Sequence, residues 1–193
     1  LMNNLSKRIL SSIILLPLIY YVIIKGSYIT IFFVTLCFIL SCYEWNMMNK
    51  RKINKILGFI FLAISFYTFY KLALDYFKVF FIILICISTD VGGYVFGKTL
   101  KGPKLTKISP NKTYSGVIGG YVLSLLSLIV LTNYSKNFDI TFQTFFLVIL
   151  ISSVSQIGDI IISYFKRLSK IKNTGTIIPG HGGLLDRIDG MIF

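Results

Sequence analysis

The sequence predicts an all-α, polytopic integral membrane protein with about six transmembrane helices and a cytoplasmic N-terminus. Three observations carry that prediction. Of the 193 residues, 55% are hydrophobic and the mean hydropathy is +0.78, whereas soluble domains are usually roughly 45–50% apolar. The apolar residues gather into six runs, at about 9–24, 27–43, 56–74, 76–97, 115–133 and 140–162, near the ~20 residues a spanning helix needs. The basic residues fall in the connections, on alternate sides.

The first run is short. It reaches spanning length if Leu5 is included and Lys7 and Arg8 snorkel. No small-residue cleavage site follows it, so it reads as an anchor rather than a signal peptide. The connections then set the orientation. The N-terminus, the second connection (Lys50, Arg51, Lys52, Lys55), the fourth (Lys98 to Lys112) and the C-terminal segment carry 16 Lys and Arg, and the opposite side carries 4. Such an excess marks the cytoplasmic side. The strict alternation also supports the helix count, because a missed or invented span would scramble it.

The net charge of +13 does not indicate nucleic acid. The cations sit in short loops between spans, where lipid headgroups and nucleotide phosphates are the natural partners. Cys37, Cys42 and Cys86 lie inside apolar runs with no paired spacing, which excludes a disulfide framework or a zinc site. The chain begins Leu1-Met2 and stops at Phe193 as a new apolar run starts, as a fragment or an early stop would.

The chemistry concentrates late in the chain. Three of the seven acidic residues, Asp159, Asp186 and Asp189, fall within 31 positions. Asp90 and Asp159 lie in apolar runs near their cytoplasmic ends, where a carboxylate costs a few kcal/mol (about 2.5–3.5) unless it faces a polar cavity or a partner. Asp159, Ser163 and Lys166 share one helical face. Glu44 beside Trp45 reads as a solvated carboxylate next to an interface anchor, and Asp75 and Asp139 read as solvated. The glycines and prolines from Asp90 to Gly116 read as a non-helical connection. Its Ser109-Pro110, Lys112-Thr113 and Gly116 suit a turn entering a helix, whose free N–H groups favour an anion.

The Pro179-Gly180-His181-Gly182-Gly183 segment forbids regular structure and lets backbone approach a ligand. Asp186 and Asp189 face one way on a helical turn. Together with Asp159 they could hold a divalent metal through hard oxygen ligands. Arg187 between them would clamp a phosphate or screen the pair. His181 is the only histidine, so a multi-histidine metal site is excluded; it is either a loop hydrogen-bonder or a substrate contact.

With these residues in place, the chain resembles the phosphatidate cytidylyltransferase (CDP-diglyceride synthase) family. Ser163, Lys166, Arg167, Lys172, Pro179 to Gly183, Asp186, Arg187 and Asp189 match that family's signature in order and spacing. Gly158-Asp159, the Asp90, Tyr94 and Gly97 set, and the Ser109 to Gly116 set match its upstream segments. The likeness covers roughly 76–193, and the first half matches only in being apolar helices. Asn173 stands where the family has Asp, Asn111 where it has Lys, Tyr114 for Trp and Gly190 for Ser.

The resemblance implies that CTP and phosphatidate give CDP-diacylglycerol and pyrophosphate. It implies one membrane domain, in which residues 1–75 supply N-terminal spans and 76–193 the catalytic region. It implies a multi-pass protein of the cell (inner) membrane, its site facing the cytoplasm, with membrane lipids as partners, no nucleic acid, and homodimer formation left open. Asp159, Asp186 and Asp189 become ligands of Mg²⁺, with a second cation allowed. Lys166, Arg167 and Arg187, with His181, join them as catalytic residues. Asp90, Ser109, Lys112, Ser163, Lys172, Gly180, Gly182 and Gly183 become substrate-binding. The alternatives are a membrane cation transporter, which leaves the glycine loop unexplained, and an inactive truncated paralogue. The missing Asp at Asn173 and the abrupt end predict weak activity or none.

Overall fold

The computed structural model describes residues 17, 21–22, 27–134, 139–178 and 182–193. The first apolar run, 9–24, falls almost wholly outside them, as do Pro179, Gly180 and His181. The helices in chain order are α1 (Ser27–Met48), α2 (Lys52–Leu72), α3 (Tyr76–Leu100), α4 (Tyr114–Tyr134), α5 (Phe142–Leu168) and α6 (Leu185–Ile188). Among the described residues, α1 to α5 are long and apolar enough to cross a membrane. The β pairing described is two isolated bridges, Lys104 with Thr113 and Ile178 with Gly182.

Each apolar run from 27 onward lies in one of these helices, with the ends moved. α5 runs six residues past Ile162 and takes Lys166 and Arg167 into its last turn, where cations meet the negative end of the helix dipole. Its 27 residues reach about 40 Å, longer than a ~30 Å hydrocarbon layer.

Residues 90–100 correct the sequence reading. They are helical, the last eleven residues of α3, not an irregular connection. Their glycines are packing surfaces against α4. A methyl at Gly92 would overlap the Gly119 carbonyl, and one at Gly119 would overlap the Phe96 side chain. One at Gly116 would lie 2.7 Å from the Gly93 carbonyl oxygen. Where lipid already surrounds apolar side chains, small residues that let two backbones meet hold helices together. That gain outweighs glycine's roughly 1 kcal/mol helix penalty.

The chain divides into two compact units, residues 1–79 with 165–192, and residues 80–164 with 193. In the first, α1 and α2 form an antiparallel hairpin. The Trp45 indole N–H donates to the Asn54 carbonyl at 3.0 Å, and a side chain at Gly58 would overlap the indole. Farther along, Phe38 meets Phe66 edge-on with centroids 5.5 Å apart. Asp75 starts α3: its Oδ1 accepts from the Phe77 and Lys78 amides at 3.1 and 3.3 Å. It is a helix cap, not merely a solvated carboxylate.

In the second unit, buried and half-buried hydroxyls join the helices. Thr89 of α3 donates to Ser152 of α5 at 2.9 Å, and Tyr121 of α4 pairs with Ser153 at 2.8 Å. The connection from Lys101 to Thr113 folds back on itself, with the Leu105 amide on the Lys112 carbonyl at 2.8 Å. Thr113 then caps α4 by accepting from the Gly116 amide at 3.1 Å.

Candidate active site

α5 ends by carrying Lys166 into the first unit, where its side chain is one-tenth exposed. Its ammonium lies 2.7 Å from Asp186 Oδ1 and 3.8 Å from Asp189 Oδ2. The expected three-residue spacing therefore does turn both carboxylates one way. Asp186 is held on its other oxygen as well: Oδ2 accepts from the Thr174 amide at 2.8 Å and the Gly183 amide at 3.1 Å. Hydrogen bonds to an ionised carboxylate are the strong kind, and two backbone donors fix its plane.

Glycine is required at 182 and 183 for different reasons. Gly182 has φ +89, and a Cβ there would lie 2.8 Å from Asp186 Oδ2. At Gly183 a Cβ would overlap the Thr174 hydroxyl and the Glu44 carboxylate. The Gly183 amide faces Asp186, so its N–H serves the protein's own carboxylate. Arg167, Lys172 and Arg187 are exposed; the Arg167 guanidinium donates to the Ile171 carbonyl at 3.1 Å. Gly180 and His181 lie outside the described residues.

Glu44 overturns its sequence reading. It is 1% exposed, not solvated. Its Oε1 accepts from the Leu184 amide at 2.8 Å, and its Oε2 from the Leu185 amide and the Thr174 hydroxyl, each at 2.8 Å. Glu44 thus satisfies the free N–H groups where α6 begins, a task its own N-cap residue, Leu184, cannot perform. Trp45 is buried too, at 5% exposure, with its ring edge-on to Phe165 at 5.0 Å. Thr174 links the two acids, its hydroxyl on Glu44 and its amide on Asp186. Sequence reasoning missed both residues. The available signal was that Glu44 is one of only seven acids in the chain.

The second unit holds the remaining candidates. Asp159 Oδ2 pairs with the Lys112 ammonium at 2.5 Å, and Ser163 donates to Asp159 Oδ1 at 3.5 Å. Lys112, read as a phosphate ligand, is therefore brought to a carboxylate read as a metal ligand. Ser109 shapes the turn before it, its carbonyl accepting from the Lys112 amide at 3.1 Å. Asp90 is exposed on α3.

Within either unit, the described residues bring no three His, Cys, Asp or Glu side chains together as a metal cage. The Asp186 and Asp189 pair nonetheless fits a hard cation, because an ammonium already occupies the point on which both carboxylates converge. Asp186 Oδ1 keeps a lone pair beyond its bond to Lys166, while two amides fill Oδ2.

Glu44 and Asp186 are thus locked by backbone donors, with the exposed Arg167, Lys172 and Arg187 in the same stretch of chain as Asp186. The chain belongs to the cytidylyltransferase family, whose model matches residues 55–193. It is 36% identical to the phosphatidate cytidylyltransferase of Rickettsia conorii, over 98% of this chain and 87% of that protein. It is 35% identical to the Staphylococcus haemolyticus protein of the same name, over 83% of this chain and 64% of that one. The likeness therefore reaches into the first half, beyond the 76–193 expected from the motifs.

Proposed function

We propose that this chain transfers the cytidylyl group of CTP to phosphatidate. A phosphate oxygen of phosphatidate attacks the α-phosphorus of CTP. The bond from that phosphorus to the bridging oxygen breaks, and pyrophosphate leaves with its electron pair. CDP-diacylglycerol is the other product. No protein nucleophile is needed, so catalysis rests on positioning and charge.

The observation that supports this reading most is the Lys166, Asp186 and Asp189 cluster inside the stretch that matches the family. The exposed Arg167, Lys172 and Arg187 hold phosphate oxygens. Asp186 and Asp189 would hold Mg²⁺, and Asp159 a second cation. Such a cation, when bound, neutralises charge developing on the phosphates. Lys166 balances the two carboxylates and keeps them aimed at one point. The 16 to 4 charge split supports placing the second connection, the 101–113 connection and the segment after α5 on the cytoplasmic side of the inner membrane, as part of a six-span protein.

The test is turnover by purified protein in neutral detergent micelles. CTP with phosphatidate and Mg²⁺ gives CDP-diacylglycerol and one pyrophosphate per product, and chelation stops it. Product formation with ATP but not CTP would overturn the assignment. Mg²⁺ or K⁺ flux through the protein in liposomes without turnover would favour transport instead.

A further inference from the structure

Where α1 gives way to α2, the first unit encloses a cavity of about 310 Å³ that no candidate site residue lines. Its walls are Asn49, Lys50, Arg51 and Asn54, with Ser169 and Lys170 from the turn after α5. Three cations face it and no carboxylate does. Among the described residues, no ion pair engages Lys50, Arg51 or Lys170. Uncompensated cations gathered around a polar hollow make an anion site, and side-chain amides and a hydroxyl add neutral donors.

The turn is built to hold this shape. Lys170 sits at φ 57, a left-handed conformation that few residues other than glycine adopt. Its amide donates to the Arg167 carbonyl at 3.0 Å, and the next amide, of Ile171, to the Lys166 carbonyl at 3.0 Å. Asn49 is 3% exposed and fixed by its side-chain donation to the Trp45 carbonyl at 3.1 Å.

The anion's source follows from what surrounds the cavity. Its apolar wall is Leu168, which is exposed, as are Ile53 and Leu57 on the first turns of α2. No aromatic ring lines it, so nothing there would stack on a nucleobase. Cations at a helix end beside a lipid-facing apolar strip match a phospholipid, with its phosphate in the hollow and its chains along α2.

We infer that this cavity binds a lipid-borne phosphate, held by Lys50, Arg51 and Lys170. The site needs no cytidylyl transfer, and its test reads binding alone.

The full chain is reconstituted in phosphatidylcholine vesicles carrying trace spin-labelled phosphatidylglycerol, phosphatidate or phosphatidylcholine. The immobilised lipid fraction is then read by electron paramagnetic resonance. Phosphatidylglycerol is retained over phosphatidylcholine. Each basic side chain near a charged surface contributes about fivefold to affinity. Lys170→Gln therefore weakens retention about fivefold, and Lys50→Gln with Arg51→Gln and Lys170→Gln roughly a hundredfold. Lys71→Gln with Lys78→Gln, a charge loss on other turns, leaves it unchanged. Stronger retention of phosphatidate assigns the site to a substrate headgroup, and equal retention to anionic phospholipid at large. Retention unaltered in the triple variant, or lowered as much by Lys71→Gln with Lys78→Gln, would overturn the inference. So would displacement by millimolar inorganic phosphate or CTP.

Discussion

Glu44 has three donors within 2.8 Å and almost no contact with solvent. Its removal leaves two amides and a hydroxyl unpaired in a buried place, each costing about 1–3 kcal/mol. Glu44→Ala should therefore lower the thermal unfolding midpoint and cut turnover at least tenfold. Glu44→Gln keeps the shape but turns an NH₂ toward one of the donors, so it should lie between wild type and alanine. Unfolding followed by near-ultraviolet circular dichroism, with kcat measured on the same preparations, checks both. At Asp186 the substitution is more selective. Asp186→Asn keeps an acceptor for the Thr174 and Gly183 amides but loses the charge facing Lys166. Turnover should fall by orders of magnitude, more than the lowered midpoint accounts for, and near-normal turnover would remove Asp186 from the site. The Asp186 and Asp189 spacing was legible because one helical turn relates them. Glu44 was not, because its partners are 130 to 141 residues away and a Glu beside a Trp at a helix end suits the membrane interface equally well.

The elements were legible where composition alone decides them. Apolar runs make helices in lipid because every backbone group must be satisfied internally, so five spans appear where hydropathy puts them. The end of α3 was not legible. Its glycines read as breakers until Gly116, Gly119 and Gly120 of α4 are seen against them, and nothing local announces that pairing. Gly92→Leu should therefore disrupt the packing of α3 on α4. Cysteine cross-linking between the two helices in membranes would show it as a lost or shifted pattern; an unchanged pattern would contradict the packing. Asp75, at the start of α3, offers a pH test. The Lys78 backbone amide first, then the Lys78 side chain, holds its carboxyl below the usual value. A depressed carboxylate stabilises the fold above its unfolded pKa of about 3.9 and loses that contribution as pH falls through the folded value. Asp75→Ala should be less stable than wild type at pH 7 and pH 5. The difference should shrink below about pH 4 in thermal melts across that range.

At the scale of the whole molecule, the charge alternation predicts a topology. In a background lacking the three native cysteines, Ser109→Cys and Ser169→Cys should be blocked only by reagents that reach the cytoplasm. Asp139→Cys should react with impermeant maleimide from outside. Labelling of Ser109→Cys or Ser169→Cys from outside would invert the arrangement. The long C-terminal signature made the reaction class readable from sequence. It could not show that Lys166 bridges Asp186 and Asp189, or that Lys112 meets Asp159, since those pairings depend on how distant turns fold together.

The most direct measurement is CTP-dependent conversion of phosphatidate by the purified chain in micelles, titrated with Mg²⁺ and repeated with Lys166→Met. Cytidylyl transfer predicts CDP-diacylglycerol and pyrophosphate in equal amounts from the unaltered chain, saturating with Mg²⁺. Lys166→Met, which leaves the facing carboxylates without their cation, should fall at least a hundredfold. An unaltered chain that binds CTP yet forms no product at any Mg²⁺ concentration, or a Lys166→Met variant that turns over normally, would contradict it.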